Sequence, residues 1–83
     1  MRLILSPQAA KALRQMPRHD AEALLDRLKA VAADPFGAHS FAKAFGGGAG
    51  RVRHGDWRAV YRLDTSRGEM VVSRIAHRRE VYR

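Results

Sequence analysis

The fold is decided by the stretch Arg51-Val-Arg-His-Gly-Asp-Trp-Arg-Ala-Val-Tyr-Arg-Leu63. Two strand-like runs flank Gly55-Asp56, a two-residue turn signal, so the pattern predicts a β-hairpin. Counting outward from the turn places Arg53 directly opposite Arg58. The full predicted register pairs His54 with Trp57, Arg53 with Arg58, Val52 with Ala59 and Arg51 with Val60.

The two faces of this hairpin differ in chemistry, because side chains alternate along a strand. One face is mainly apolar and carries Val52, Trp57, Ala59, Tyr61 and Leu63. The other, which we call the arginine face, carries Arg51, Arg53, Arg58 and Arg62 around Val60. Like charges opposed across a ladder destabilise it by roughly 0.2–1 kcal/mol per pair, so we expect an anionic ligand there. The predicted strands use arginine and no lysine, and guanidinium groups bind phosphate bidentately.

The first half of the chain predicts a strand followed by two helices. Leu3-Ile4-Leu5 is a short apolar strand, and Ser6-Pro7 is a helix start in which serine caps and proline takes the first position. A first helix should end near Pro17, and a second should run from Arg18 to Asp34-Pro35. Their apolar residues recur at helical spacing and are Ala9, Leu13, Met16, Ala21, Leu24, Leu25, Leu28, Val31 and Ala32.

The second half predicts strands at about 51–54, 57–63 and 69–75, after an irregular region over 36–50. Phe36, Phe41 and Phe45 are expected to anchor that region, and the glycine run 46–50 is interpreted as a flexible connector. Simple alternation puts Arg74 on one face with Met70 and Val72, which leaves the register of this strand open; burying an unpaired charge is costly, so we place Arg74 on the arginine face. The prediction is one α+β domain, 1–83, with β-α-α-β-β-β order and an antiparallel sheet packed on a helical hairpin.

Composition narrows the class of partner. The 83 residues include sixteen Lys and Arg against eight Asp and Glu, for a net charge of +8, which favours nucleic acid or an acidic protein. The absence of cysteine fits a reducing cytoplasm, and no acidic residues lie at ligand spacing, so neither a metal nor a cofactor is expected. The apolar start is too short to span a membrane.

Two segments resemble the signature stretches of the RelE toxins, within the RelE/ParE superfamily. They are Gly50-Arg-Val-Arg-His-Gly-Asp-Trp-Arg-Ala-Val-Tyr-Arg62 and His77-Arg-Arg-Glu-Val-Tyr82. The resemblance implies a small bacterial toxin that enters the ribosomal A site and cuts messenger RNA there. It also implies a cognate antitoxin that holds the toxin inactive.

The resemblance also assigns roles to residues. Arg58 matches the arginine that binds the scissile phosphate, and Arg51 and Arg53 match basic residues that bind RNA. Flanking phosphates would also meet Arg62 and Arg74, although both could equally be structural.

The C-terminal stretch supplies the remaining catalytic candidates. The later family arginine falls on Arg78, or less certainly on His77 or Arg79, and the family tyrosine falls on Tyr82. Metal-free cleavage requires deprotonating a 2′-hydroxyl, stabilising the phosphorane and protonating the departing 5′ oxygen. We expect Arg58 and Arg78 to stabilise the charge and Tyr82 or His77 to move protons. Alternatively, Tyr82 packs as a strand aromatic and His77 is a surface residue.

The sequence leaves three functions open. The first is a ribosome-dependent endoribonuclease, which the two signature stretches favour. The second is a ParE-like toxin that inhibits DNA gyrase by protein–protein contact. The third is a non-enzymatic module that binds RNA.

Overall fold

The structure is a computed structural model that describes residues 1–81, with side chains through residue 79. Two longer helices pack against a five-stranded sheet, which confirms the predicted α+β class. The strand order across the sheet is β1-β5-β4-β3-β2. The elements are β1 (Arg2–Leu5), α1 (Pro7–Gln15), α2 (Arg18–Ala33), β2 (Ala42–Gly46), β3 (Ala49–His54), β4 (Trp57–Asp64), β5 (Glu69–His77) and the short α3 (Arg78–Val81).

One strand pair departs from the predicted antiparallel sheet. β1 runs parallel to β5, with Leu3 opposite Met70 and Leu5 opposite Val72, while the other three pairs are antiparallel. No hairpin joins β1 to β5, so a connecting turn does not fix their relative direction.

The helices form as their sequence signals predict. The Ser6 hydroxyl accepts a hydrogen bond from the Ala9 N–H at 3.0 Å, which caps α1, and α2 begins directly after Pro17. Burial of the apolar stripes against the sheet then supplies most of the stability. The buried residues of the two helical segments are Ala9, Met16, Leu24, Leu28, Val31 and Ala32. Within residues 1–81, none of the helices combines the length and hydropathy that a membrane span requires.

The region 36–50 is more regular than the sequence predicts. It contains the additional strand β2, which pairs with β3 through a turn at Gly46-Gly47-Gly48. These three glycines have φ values of 92°, 62° and 82°, a conformation that a Cβ atom disfavours. The interpretation of the glycine run as a flexible connector was therefore wrong: its glycines build a hairpin turn.

The predicted phenylalanine anchors are mostly wrong. Phe36 and Phe45 are 76% and 55% exposed, whereas Phe41 is partly buried against the core. The Arg27 guanidinium lies 5.0 Å from the centre of the Phe41 ring, a cation–π contact that fixes this one phenylalanine.

A β-bulge in β5 decides where Arg74 points. Val60 pairs with Arg74 but the next residue, Tyr61, pairs with Val72, so Ser73 is the extra residue. The bulge leaves Arg74 exposed and Ile75 buried, which confirms the placement of Arg74 with the arginine face.

The amide of Gln8, from α1, holds this bulge. It donates to the Ile75 carbonyl and accepts from the Ile75 N–H, both at 2.9 Å.

Candidate nucleic-acid interface

The β3–β4 hairpin adopts the predicted register at all four pairs. Arg53 lies directly opposite Arg58, and His54 lies opposite Trp57. On the side toward the helices, Val52 and Ala59 are fully buried, and Trp57 packs partly buried against the core as predicted. The arginine face therefore lies on the side of the sheet away from the helices.

Three cations of the arginine face are exposed to solvent. Arg53, Arg62 and Arg74 are exposed, and within the described part of the chain their side chains make no hydrogen bond or ion pair. Arg51 is half-buried beside them on β3. The structure thus brings together the four residues that the sequence predicts to bind RNA.

The arginine face also includes a lysine that sequence reasoning missed. Lys43 on β2 is exposed and lies directly opposite Arg51, which makes a second opposed pair of cations. The inference that the strands use no lysine was wrong, because it rested on a sheet without β2. Counting outward from the glycine turn would not have paired the two residues, because a bulge between Ala44 and Gly46 shifts the register.

Hydrogen bonds to its own turn constrain Arg58. Its Nη1 donates to the carbonyl oxygens of Gly55 and Trp57 at 2.6 and 3.0 Å, so the guanidinium folds back over its own turn. Its Nε is buried and has no hydrogen-bond partner among the described residues. A buried donor without an acceptor costs about 1–3 kcal/mol, and an anion on this edge would remove that cost.

His77 lies on the opposite side of the sheet from Arg58. It pairs with Trp57 at the end of β5, and the two rings meet edge to face with centroids 5.3 Å apart. Its Nε2 is 4.0 Å from Asp56 Oδ2, and its Nδ1 accepts the Arg79 N–H at 3.5 Å. The described structure therefore does not bring His77 together with the arginine face.

The remaining C-terminal candidates lie at or beyond the last described element. Arg78 is exposed at the start of α3, and its N–H donates to the Asp56 carbonyl, which ties α3 to the β3–β4 turn. Arg79 is exposed beside it. Tyr82 lies outside the described residues.

Comparison with known proteins identifies the family. A family model described as the ParE toxin of the type II toxin–antitoxin system parDE matches residues 3–82. The chain belongs to this toxin family. A search of curated proteins found no match to this ParE-family toxin.

Solved structures of RelE toxins share its fold. The isolated Escherichia coli RelE toxin superposes with a TM-score of 0.78 at 22% identity, over 98% of this chain and 89% of RelE. A RelE–RelB complex from Pyrococcus horikoshii gives 0.76 at 21% identity, over 93% of both chains. A RelBE complex from Mycobacterium tuberculosis gives 0.73 at 21% identity, over 93% of this chain and 96% of that one. These superpositions establish the RelE-like fold of the ParE-family toxin.

A second histidine near the interface is structural in this ParE-family toxin. His54 Nε2 lies 3.0 Å from Asp20 Oδ1, and both side chains are largely shielded from solvent. The pair links the first turn of α2 to the β3–β4 hairpin. His54 therefore supports the hairpin that positions Arg53 and Arg58.

One cleft of the toxin is lined mainly by small and apolar residues. It has a volume of about 750 Å³, lies between the end of α2 and strands β2 to β4, and has no arginine or lysine in its lining. Burial raises the pKa of Tyr61, which lines this cleft.

Among the described residues, no three His, Cys, Asp or Glu side chains lie close enough to hold a metal ion. We therefore choose the arginine face as the candidate site because of its charge and geometry, and do not choose a site by the size of its cleft.

Proposed function

We propose that this toxin is a ribosome-dependent endoribonuclease that cuts messenger RNA without a metal ion. The observation that carries the proposal is Arg58, whose buried Nε lacks a partner in residues 1–81 and which lies opposite Arg53. A phosphate bound between the two side chains would neutralise the opposed charges, and a rotation of the Arg58 side chain that exposes Nε would let the phosphate satisfy this donor as well.

The proposed reaction is an internal transfer of the phosphoryl group. The RNA 2′-oxygen attacks the adjacent phosphorus, the bond from phosphorus to the 5′ oxygen breaks, and the products carry a 2′,3′-cyclic phosphate and a 5′-hydroxyl. Arg58, with Arg78, stabilises the charge that develops on the phosphorane oxygens. Arg51 and Arg53 hold the strand on either side of that phosphate.

The reaction also needs two proton transfers, for which we propose Tyr82; His77 lies on the opposite side of the sheet from Arg58 and would serve only if the RNA reaches that side. Tyrosine is a poor base at its reference pKa of about 10, but nearby arginines would favour the phenolate. We expect Tyr82→Phe to reduce cleavage sharply and to leave RNA binding nearly unchanged. Unchanged cleavage would remove Tyr82 from the mechanism, and the same comparison with His77→Gln would test the histidine.

A cognate antitoxin is the proposed protein partner, and the cytoplasm the proposed location. RelB is bound to RelE in the similar structures from Pyrococcus horikoshii and Mycobacterium tuberculosis, and a net charge of +8 favours an acidic segment on this surface. A partner that binds only the folded toxin should raise its melting temperature. No shift on adding the cognate antitoxin would count against this partner.

Gyrase inhibition is the second candidate, and one specific observation favours it. The family model that matches the chain is the ParE model. Under this alternative the basic surface binds protein and no RNA end is produced.

Cell-free translation separates the two candidates. We expect primer extension to find breaks in a message only while ribosomes translate it, with no effect on DNA supercoiling. An intact message together with blocked supercoiling by gyrase would replace the nuclease proposal with the second candidate. An intact message with normal supercoiling would reject both.

A further inference from the structure

Strand β2 extends the basic surface beyond the arginines. Lys43 is exposed on this edge strand, and within the described residues its ammonium group makes no hydrogen bond or ion pair. The chain has three lysines, and the other two, Lys11 and Lys29, lie on α1 and α2. Of the three lysines, Lys43 is therefore the one that lies on the sheet, beside the arginines.

A small cleft adjoins Lys43 on the same side of the sheet. Its volume is about 280 Å³, and its lining is Ser40, Phe41, Ala42, Lys43, Arg51 and Arg53. The Phe41 carbonyl accepts the Arg53 N–H at 2.9 Å, which fixes the loop before β2 against β3. The cleft thus combines three cations and a serine hydroxyl on a backbone that hydrogen bonds hold in place.

From this arrangement we infer that the cleft beside Lys43 is a subsite for a second backbone phosphate of a single-stranded RNA. The inference rests on the proposed function, in that the same strand would place its scissile phosphate at Arg58. Strands lie about 4.8 Å apart and alternate residues about 6.6 Å apart, so the Cα atoms of Arg58 and Lys43 are separated by roughly 12 Å. The Arg58 guanidinium also turns back toward Gly55, so the two residues meet different phosphates.

The spacing of the charges favours nucleic acid over an acidic protein. Lys43 lies opposite Arg51, Arg53 follows two residues along β3, and Arg58 lies opposite Arg53. These four cations form a continuous diagonal across three strands, which matches a polymer with one charge at every repeat. A peptide offers such a series only where acidic side chains happen to recur.

Lys43 also has a simpler explanation that the test must exclude. Lysine on an exposed edge strand discourages pairing with another sheet. In that case Lys43 would protect against aggregation and contribute nothing to RNA binding.

The test compares Lys43→Ala with Lys29→Ala, which removes another exposed lysine, from α2. Fluorescence anisotropy would measure binding of 2′-O-methyl single-stranded RNA, which lacks the attacking hydroxyl and stays intact, over a series of salt concentrations. Losing one phosphate contact should lower the slope of log K against log salt by about 0.7, or about fivefold in affinity near 0.1 M salt. We expect this loss for Lys43→Ala and no change for Lys29→Ala.

A length series sharpens the result. The Lys43→Ala effect should disappear with oligonucleotides too short to reach from Arg58 to β2. A slope equal to that of Lys29→Ala would overturn the subsite, as would increased aggregation with unchanged RNA affinity. A loss of affinity for a poly-glutamate peptide alone would also overturn it.

This measurement requires no cleavage, so its failure is distinct from failure of the proposed function. A toxin whose RNA binding depends on Lys43 but which never cuts a translated message would keep the subsite and lose the nuclease. A toxin that cuts messages and binds RNA equally well without Lys43 would keep the nuclease and lose the subsite.

Discussion

The two faces of the central strands have opposite roles. Toward the helices, Val52, Ala59 and Ile75 are almost completely buried, and their burial stabilises the domain. Away from the helices, Arg53 and Arg58 oppose each other and weaken the same hairpin. Stability is therefore concentrated on one face and charge on the other, so substitutions on the two faces should affect different measurements.

The largest effect on stability should come from the helix side. Leu28 of α2 is fully buried, and Leu28→Ala should reduce the free energy of unfolding by about 2–5 kcal/mol in urea titrations. Lys29→Ala, one residue later and exposed, should change it by less than about 0.5 kcal/mol. Equal effects of the two substitutions would contradict the assignment of the core.

Gln8 connects the two faces, because its amide holds the bulge that turns Ile75 inward and Arg74 outward. Gln8→Ala leaves the N–H and the carbonyl of Ile75 without their partner, which should cost about 1–3 kcal/mol. Gln15→Ala, exposed at the end of the same helix, should cost little. Urea unfolding of both variants checks the difference, and an unaffected Gln8→Ala would show that the bulge forms without the amide.

The arginine face should respond in the opposite direction. Arg53→Gln removes one of two opposed cations, so we expect it to stabilise the fold by about 0.2–1 kcal/mol while weakening RNA binding. Arg14→Gln removes a favourable cation from the last turn of α1 and should destabilise by about 0.3–1 kcal/mol. Thermal unfolding would measure both, and destabilisation by Arg53→Gln would mean that Arg53 has a partner in the folded chain.

The smallest effect concerns pH and lies again on the helix side. Because burial raises the pKa of Tyr61 above its unfolded value of about 10, the folded chain binds this proton more tightly. The associated stability should be complete below pH 10 and be lost as the pH rises from there through the folded pKa. Tyr61→Phe should remove this part of the pH dependence, and an unchanged profile would assign it to other groups.

The hairpin was predictable because one turn fixed it. Gly55-Asp56 sets the loop length, the loop length sets the register, and the register assigns every side chain to a face. Arg74 was also placed correctly. The cost of burying its charge outweighed the strand pattern that puts it on one face with Met70 and Val72. The sequence carries no signal for the bulge in β5, which lets Met70 and Val72 be buried while Arg74 is exposed.

Strand β2 was not predictable from composition. The segment Ala42-Lys-Ala-Phe-Gly46 has neither β-branched residues nor a buried face, so pairing with β3 makes it a strand despite its low propensity. Because β2 was not predicted, Lys43 was not recognised as a strand residue, and Phe45 and the glycine turn were interpreted wrongly.

The position of His77 was likewise hidden. Its neighbours in sequence are basic, but its neighbours in space are Trp57 and Asp56 on the other side of the sheet.

We propose that the arginine face binds the phosphate at which the RNA is cut. The most direct test is primer extension on one translated message treated with wild-type toxin or Arg58→Ala, both shown to be folded by thermal unfolding. We expect the substitution to reduce cleavage by about 10²- to 10³-fold, as for loss of a donor that stabilises transition-state charge. Cleavage at the wild-type rate by folded Arg58→Ala would contradict the account.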